Sequence, residues 1–246
     1  MNDHHRVQQN EYGQMVGSSV QLKPIHFLAD SLSGTHATLQ VLSTDTLTEA
    51  CLKQLWQVLK DESDGRCWTY LPYSVFKSAA ALETLLQHNF SMPHAIHYLI
   101  QIQHRIVGWV GLLNLRPTDG VIEIGNIYFS HQMKQSVAST EVIYLLLNSC
   151  FEQGFRRVEW KCDDLNTPSK RAALRFGFQY EGTFRQDRIY KARNRNTAWF
   201  SMLDSEWSRV KAAYLAWLTI DNFDPAGQQK IKLAEFMQQY VLDETR

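Results

Sequence analysis

The 246 residues suit one compact domain with elaborations, or one domain and a small appendage. Lysine plus arginine and aspartate plus glutamate number 25 each, a net charge of +0 that argues against a molecule built to coat a polyanion. Four scattered cysteines, Cys51, Cys67, Cys150 and Cys162, lack a Cys-x-x-Cys pair and read as reduced thiols of a cytosolic protein.

In chain order, Met1 to Gly17 is polar and lacks the apolar core of a signal peptide. Residues 1–20 read as a weakly ordered arm, and 21–36, with Pro24 and Gly34, as an irregular wrap onto the domain. A short strand is expected over Ala37–Leu42. Thr46 and Glu49 have capping-box spacing ahead of Leu52, Leu55, Trp56 and Leu59, which recur at helical intervals and predict a helix to about Asp61. Asp64 to Tyr73 reads as a loop over the core, and a second helix is expected near Ser78–Gln87.

Ala95–Gln103 and Ile106–Leu115 are apolar or β-branched runs joined by His104-Arg105, a link suited to a hairpin. After the turn Pro117-Thr-Asp-Gly120, Val121–Phe129 is a third strand of this set. Val137–Phe151 is a helix apolar over most of its circumference, which belongs under a sheet. Arg157–Cys162 alternates as a half-buried strand. No apolar run reaches the roughly 20 residues of a membrane span, so no membrane partner is expected. The histidines form no His-x-x-x-His pair on a helix face, and no metal is expected.

The most informative stretch is Asn166 to Gly182. Asn166 or Thr167 can cap a helix, Pro168 fits its first position, Gly177 fits the left-handed stop, and Phe178 resumes a strand. Two further strands, Phe178–Arg188 and Thr197–Leu203, flank a basic, Asn-rich turn. From Ser205 the chain reads as helical, with an interruption at Pro225-Ala-Gly227 and a final amphipathic helix near Gln229–Val241.

Asn166, Ser169, Gly177-Phe178 and Glu181-Gly182 match the pattern Asn-x-x-Ser, Gly-Phe, Glu-Gly. With the preceding order of elements, this block resembles the Gcn5-related N-acetyltransferase (GNAT) superfamily, closest to the branch that acetylates ribosomal-protein N-termini. The resemblance implies an α/β (α+β) fold: a mixed, mostly antiparallel sheet with splayed middle strands, flanked by helices. It divides the chain into an N-terminal arm (1–36), an acetyltransferase domain (37–204) and a helical C-terminal extension (205–246) packed on the domain. It implies acetyl-CoA as cosubstrate and transfer to a primary amine of a small molecule, a peptide or a protein N-terminus.

In that family the cofactor's pyrophosphate lies on backbone N–H groups at a helix start, which needs free donors and the helix dipole. The matching residues are Lys134, Gln135, Ser136, Val137, Ala138, Ser139 and Thr140. Val137 stands where the family has glycine, which narrows the approach and stiffens the backbone. Hydroxyls of Ser136, Ser139 and Thr140 are expected to add donors, and Lys134 a charge. The strand segment Ile127, Tyr128 and Phe129 corresponds to the edge that pairs with pantetheine, and Asn166 to the asparagine that binds that arm.

The superfamily's usual tyrosine acid is replaced here by Ala173, and the branch resemblance passes the acid role to Ser169. Glu123, on the strand beside the cleft, is the candidate base through a water, with His131 second. Glu181 matches the branch pattern and can equally serve strand packing. Between residues 170 and 195 basic residues dominate, which suits either holding the 3′-phosphate of CoA through Lys170 or Arg171 or attracting an acidic substrate. The segment lacks a nucleic-acid recognition motif, so no nucleic-acid partner is expected. Trp207, Tyr214 and Trp217 share one helical face, for intramolecular cover or a homodimer contact in place of a monomer. Val137, Ala173 and the extension leave open an alternative: a CoA-binding sensor or interaction module with weak or no turnover.

Overall fold

A computed structural model describes residues 7–25, 31–62 and 64–242. Its centre is an eight-stranded sheet in the order β3-β4-β5-β6-β7-β8-β10-β9. The strands are β3 (Leu32–Ser33), β4 (Thr38–Val41), β5 (Ile96–Ile102), β6 (Arg105–Arg116), β7 (Val121–Phe129), β8 (Arg157–Asp163), β9 (Gln179–Tyr190) and β10 (Arg193–Leu203). Neighbours pair antiparallel except β7 and β8, which are parallel. The expected mixed, mostly antiparallel sheet is therefore present. Ahead of it, β1 (Val7–Gln9) and β2 (Met15–Gly17) form a separate two-stranded hairpin within the expected arm.

The β7–β8 pairing lasts only from Val121↔Arg157 to Glu123↔Glu159, after which the two strands part. The cause lies on the other edge of β7. Trp109 pairs with Tyr128 and Gly111 with Gly125, so Asn126 and Ile127 together oppose Val110. This bulge, with Asn126 at φ +47°, bends the strand away from β8. From Ile124 to Phe129, β7 presents an unpaired edge to the gap.

One face of the sheet carries α1 (Glu49–Lys60) and α2 (Ala79–Ser91), packed over Leu99, Ile106, Trp109 and Tyr128. The other carries α3 (Val137–Glu152), α4 (Thr167–Arg175) and α5 (Asp204–Trp217), over a larger core that includes Val110, Leu112, Trp160 and Phe200. The helix α3 is buried along most of its length, as its apolar circumference predicts. Trp207 and Tyr214 of α5 lie against Tyr144, with ring centroids 6.2 and 5.7 Å apart, so this aromatic face covers the molecule's own core.

Several local expectations shift. Thr48, not Thr46, caps α1 by accepting from Cys51 N, because Thr46 is engaged with Ser43 and donates to Val41 O at 2.6 Å. The β5–β6 turn is Gln103-His104, one residue earlier than expected, with φ of 48° and 64° as a tight primed turn requires. Strands β9 and β10 run on to a second such turn at Lys191-Ala192. The added start of β10, Arg193-Asn194-Arg195-Asn196, lacks the β-branched signal that marks strands. The final helix is short: α6 (Leu233–Met237) continues as a wider turn over Gln238–Leu242. Among the described residues no helix is long and apolar enough to cross a membrane.

Candidate functional site

The expected site residues fall on the parted stretch of β7 and at the starts of α3 and α4. The loop before α3 is held by Met133 N and Lys134 N donating to Ser130 O, and by Ser136 N donating to Met133 O. Gln135 takes φ +63°. Ser136 caps α3, its Oγ accepting from Ser139 N at 3.3 Å and donating to Met133 O at 2.7 Å. The N–H groups of Gln135, Val137 and Ala138 have no hydrogen-bond partner among the described residues. They form a set of free donors at the positive end of the helix.

The hydroxyls expected to join them are used within the fold. Ser139 Oγ donates to Ser136 O at 2.7 Å, and Thr140 Oγ1 accepts from Arg175 Nη2 at 3.0 Å. Lys134 is half-exposed and lies 3.6 Å from Glu62 Oε2. That carboxylate, at the end of α1, also accepts from Tyr128 Oη at 3.0 Å and His131 N at 2.9 Å, so it braces the loop. A cavity of about 700 Å³ lies over this helix start, lined by Lys134 to Ala138 among others. Its size falls within the range of small-molecule sites.

On the other side of the gap, Asn166 is the N-cap of α4, its Oδ1 accepting from Ser169 N at 3.2 Å. The cap uses only the carbonyl oxygen; Nδ2 has no partner among the described residues and remains able to donate. Ser169 Oγ accepts the indole N–H of Trp160 at 3.1 Å, which fills an acceptor position and leaves the hydroxyl proton assignable elsewhere. The neighbouring Cys162 thiol is pushed up by burial and partly drawn back by a hydrogen bond from Ser169. Lys170 pairs with Asp164 at 2.8 Å, whereas Arg171 is exposed with no partner among the described residues. Ala173 is fully buried in the core.

Glu123 sits at the last β7–β8 pair, where the strands part. It is 4% exposed; burial raises its carboxyl pKa, and Lys161 and Asn114 oppose the shift. Lys161 Nζ lies 2.7 Å from Oε2, the oxygen that also accepts from Asn114 Nδ2. Oε1 has no partner among the described residues and faces Gly125, where a Cβ would come within 2.9 Å. Glycine at 125 keeps that oxygen open. Glu181 is the extra residue at a β9 bulge, held by Arg157 through both oxygens at 2.6 Å and by Ser201 at 2.7 Å, a packing arrangement.

Tyr128 and Phe129 lie on the open edge of β7, as does Ile127. The Tyr128 side chain turns away from the gap into a ring cluster with Trp68 and Trp109, centroids 4.9 and 4.5 Å away. Only its backbone is free to meet a ligand. The expected loop 64–73 spans the gap: Tyr70 Oη donates to Leu165 O at 3.1 Å, and Lys191 Nζ donates to Trp68 O at 2.7 Å.

Sequence reasoning missed the network that holds the bulge. Asn126 Oδ1 accepts from Tyr73 Oη at 2.7 Å, and its Nδ2 lies 3.0 Å from His97 Nε2. Tyr73 Oη in turn accepts from Trp109 Nε1 at 3.2 Å. His97 is 1% exposed, and burial drives its pKa down to about 4, so the ring is neutral. Gly111 makes room for it, since a Cβ there would lie 2.8 Å from His97 Nε2. A histidine and an asparagine on the inner faces of apolar strands were the signal available. The site also includes Glu141, whose buried carboxylate accepts from Thr35 N, His36 N and Ala37 N at 2.8, 2.6 and 2.8 Å. It fastens 34–37, another wall of the cavity, to α3.

This architecture recurs in known proteins. The profile of the acetyltransferase (GNAT) domain matches residues 45–179. A GCN5-related N-acetyltransferase from Brucella melitensis is 37% identical and superposes with a TM-score of 0.80, over 85% of this chain and 94% of that one. A probable GNAT-family acetyltransferase from Chromobacterium violaceum is 33% identical, with a TM-score of 0.71 over 78% of this chain and 98% of that one. The Salmonella typhimurium acetyltransferase that modifies the N-terminal serine of ribosomal protein L7/L12 shares the fold at 18% identity, with a TM-score of 0.59 over 71% and 99%. A search of curated protein sequences gives no significant match. Domain profile, relatives above 30% identity and the parted β7–β8 pair agree: the chain belongs to the GNAT acetyltransferase family.

Proposed function

We propose that the protein transfers the acetyl group of acetyl-CoA to a primary amine, with a protein or peptide N-terminus as the favoured acceptor. The observation that carries this reading is the unpaired edge of β7 at Ile124–Phe129, facing Asn166 and Ser169 across the gap. An extended pantetheine arm can add to such an edge as a strand does, with Asn166 Nδ2 as a donor from the other side. The free N–H groups of Gln135, Val137 and Ala138 take the pyrophosphate, and valine at 137 still supplies its backbone donor. Lys134 and Arg171 add positive charge at that end.

In the chemical step the amine nitrogen attacks the thioester carbonyl, and backbone N–H groups of β7 stabilise the oxyanion. Glu123 Oε1 receives the amine proton through a water in the space left by Gly125. Ser169, with Oγ held by Trp160, gives its proton to the departing thiolate. The N-terminal acceptor rests on the Asn166–Gly182 motif.

Calorimetric titration with acetyl-CoA, followed by single-turnover acetylation of an amine panel that includes short peptides, tests the proposal. Micromolar binding and turnover above the spontaneous rate are expected. No heat and no thermal stabilisation at millimolar acetyl-CoA would refute it. Binding without turnover would favour the non-catalytic CoA-binding module.

A further inference from the structure

Among the described residues, the acetyltransferase reading leaves the Arg175 cation in the cavity without an anion, and it leaves the segment after α5 without a role. Both meet at the same place. The cavity over α3 is lined by Trp217, Phe223 and Gly227 to Gln229 as well as by the loop before α3. Trp217 Nε1 donates to Gln229 Oε1 at 2.9 Å, and Phe223 bridges to Gln229, so this turn is a built wall.

Arg175, the last residue of α4, also lines the cavity. Its guanidinium carbon lies 5.3 Å from the Phe176 ring and 5.6 Å from the Trp217 ring. Nη2 donates to Thr140 Oγ1 at 3.0 Å, and no carboxylate pairs with the group among the described residues. Burial lowers its pKa from the usual arginine value, yet a guanidinium keeps its charge at any physiological pH. A half-buried cation, flanked by aromatic rings and lacking a counter-ion, is a receptor for an anion.

The free amides of α3 already provide one anion site in this cavity. The guanidinium beside Thr140, in the same helix, provides a second. A CoA thioester carries two such groups: a pyrophosphate and, on the ribose, a phosphomonoester. We propose that Arg175 binds the 3′-phosphate of the cosubstrate and that the 217–229 turn is the wall against which its nucleotide end rests. This assignment rests on the acetyl-CoA reading and moves the phosphate contact from Lys170, which is paired with Asp164, or the exposed Arg171 to the last residue of α4.

The test is calorimetric titration of the full chain and its Arg175→Met and Arg175→Lys variants with acetyl-CoA and with 3′-dephospho-acetyl-CoA. The wild-type protein is expected to bind the dephospho form about 10-fold or more weakly, the loss of a charge-assisted pair. Arg175→Met is expected to bind the two forms equally, and Arg175→Lys, which keeps the charge without the fork, to regain part of the preference. Amide hydrogen exchange over residues 219–231 is expected to slow when acetyl-CoA binds the wild-type protein. If acetyl-CoA binds while Arg175→Met keeps the full preference, Arg175 is not the ligand. Unchanged exchange over 219–231 in the bound protein would overturn the wall. If wild-type protein binds neither compound, the acetyl-CoA reading itself fails, a separate outcome.

Discussion

Trp160 Nε1 donates to Ser169 Oγ at 3.1 Å, across from the unpaired edge of β7. The indole is a donor only, so the serine oxygen must accept from it, and the serine proton is left for another acceptor. Under the proposed mechanism that acceptor is the departing thiolate. Ser169→Ala should leave acetyl-CoA affinity unchanged and lower the single-turnover rate roughly 10²-fold. Trp160→Phe keeps the ring but frees the serine to rotate, and should give a smaller loss. An unchanged rate for Ser169→Ala would mean that the thiolate leaves unprotonated.

Asn166 caps α4 with its oxygen and, in the proposed mechanism, binds the pantetheine arm with its nitrogen, and substitution can separate the two roles. Asn166→Asp retains the oxygen that accepts from Ser169 N and removes the Nδ2 donor. It should keep its melting temperature, since aspartate caps as well as asparagine. Its acetyl-CoA affinity should fall by about 1–3 kcal/mol. Asn166→Ala should lose that affinity and, in addition, about 1 kcal/mol of stability. Equal affinities for wild type and Asn166→Asp would confine the residue to capping.

Glu123→Gln should reduce kcat by about 10²-fold with little change in acetyl-CoA affinity, because the loss is of a proton acceptor. Gly125→Ala reaches the same end by a different route: its Cβ would stand 2.9 Å from Glu123 Oε1 and 3.0 Å from Leu113 Cδ1, displacing the water. Steady-state kinetics on a reactive amine checks both. Normal turnover in the two variants would remove Glu123 from the mechanism.

Acid stability should report on His97. Its pKa is about 4 in the folded protein against 6.5 for an unperturbed imidazole, with burial as the main cause and the nearby His88 acting in the same direction. A folded pKa below the unfolded one means that the unfolded chain binds the proton first. The contribution is complete above pH 6.5 and is lost as the pH falls toward 4, up to about 3 kcal/mol. Denaturant titrations of wild type and His97→Gln between pH 7 and 4 should differ in slope by about one proton. Parallel slopes would contradict the assignment.

Glu141→Ala should cost about 3 kcal/mol or more, since it leaves Thr35 N, His36 N and Ala37 N without their shared acceptor. Gly34→Ala tests the same contact from the opposite side, because a Cβ there would clash with Glu141 Cδ. Urea denaturation measures the stability change, and calorimetry shows whether loosening 34–37 also weakens acetyl-CoA binding. Stability within 0.5 kcal/mol of wild type, the usual range for an uninvolved surface change, would show that the segment is anchored elsewhere.

The sequence by itself determined the order of elements from β4 to β10, the approximate starts of α3 and α4, and the family. These are local: a cap, a proline, a glycine stop and a run of alternating residues each impose their geometry within a few positions. The apolar circumference of Val137–Phe151 likewise placed α3 beneath a sheet before any contact was known. Other properties depend on neighbours distant in the chain. The bulge at Asn126 is held by Tyr73 and His97, which lie 53 and 29 residues away, and no local pattern joins them. Whether Asn166 or Thr167 caps α4 was undecided, and the geometry chose Asn166 while leaving its amide nitrogen free. The hydroxyls near α3 looked like ligands, yet Ser136 and Ser139 satisfy backbone carbonyls and Thr140 receives Arg175. Sequence specifies which groups can donate or accept; only tertiary structure decides which of them the fold has already used.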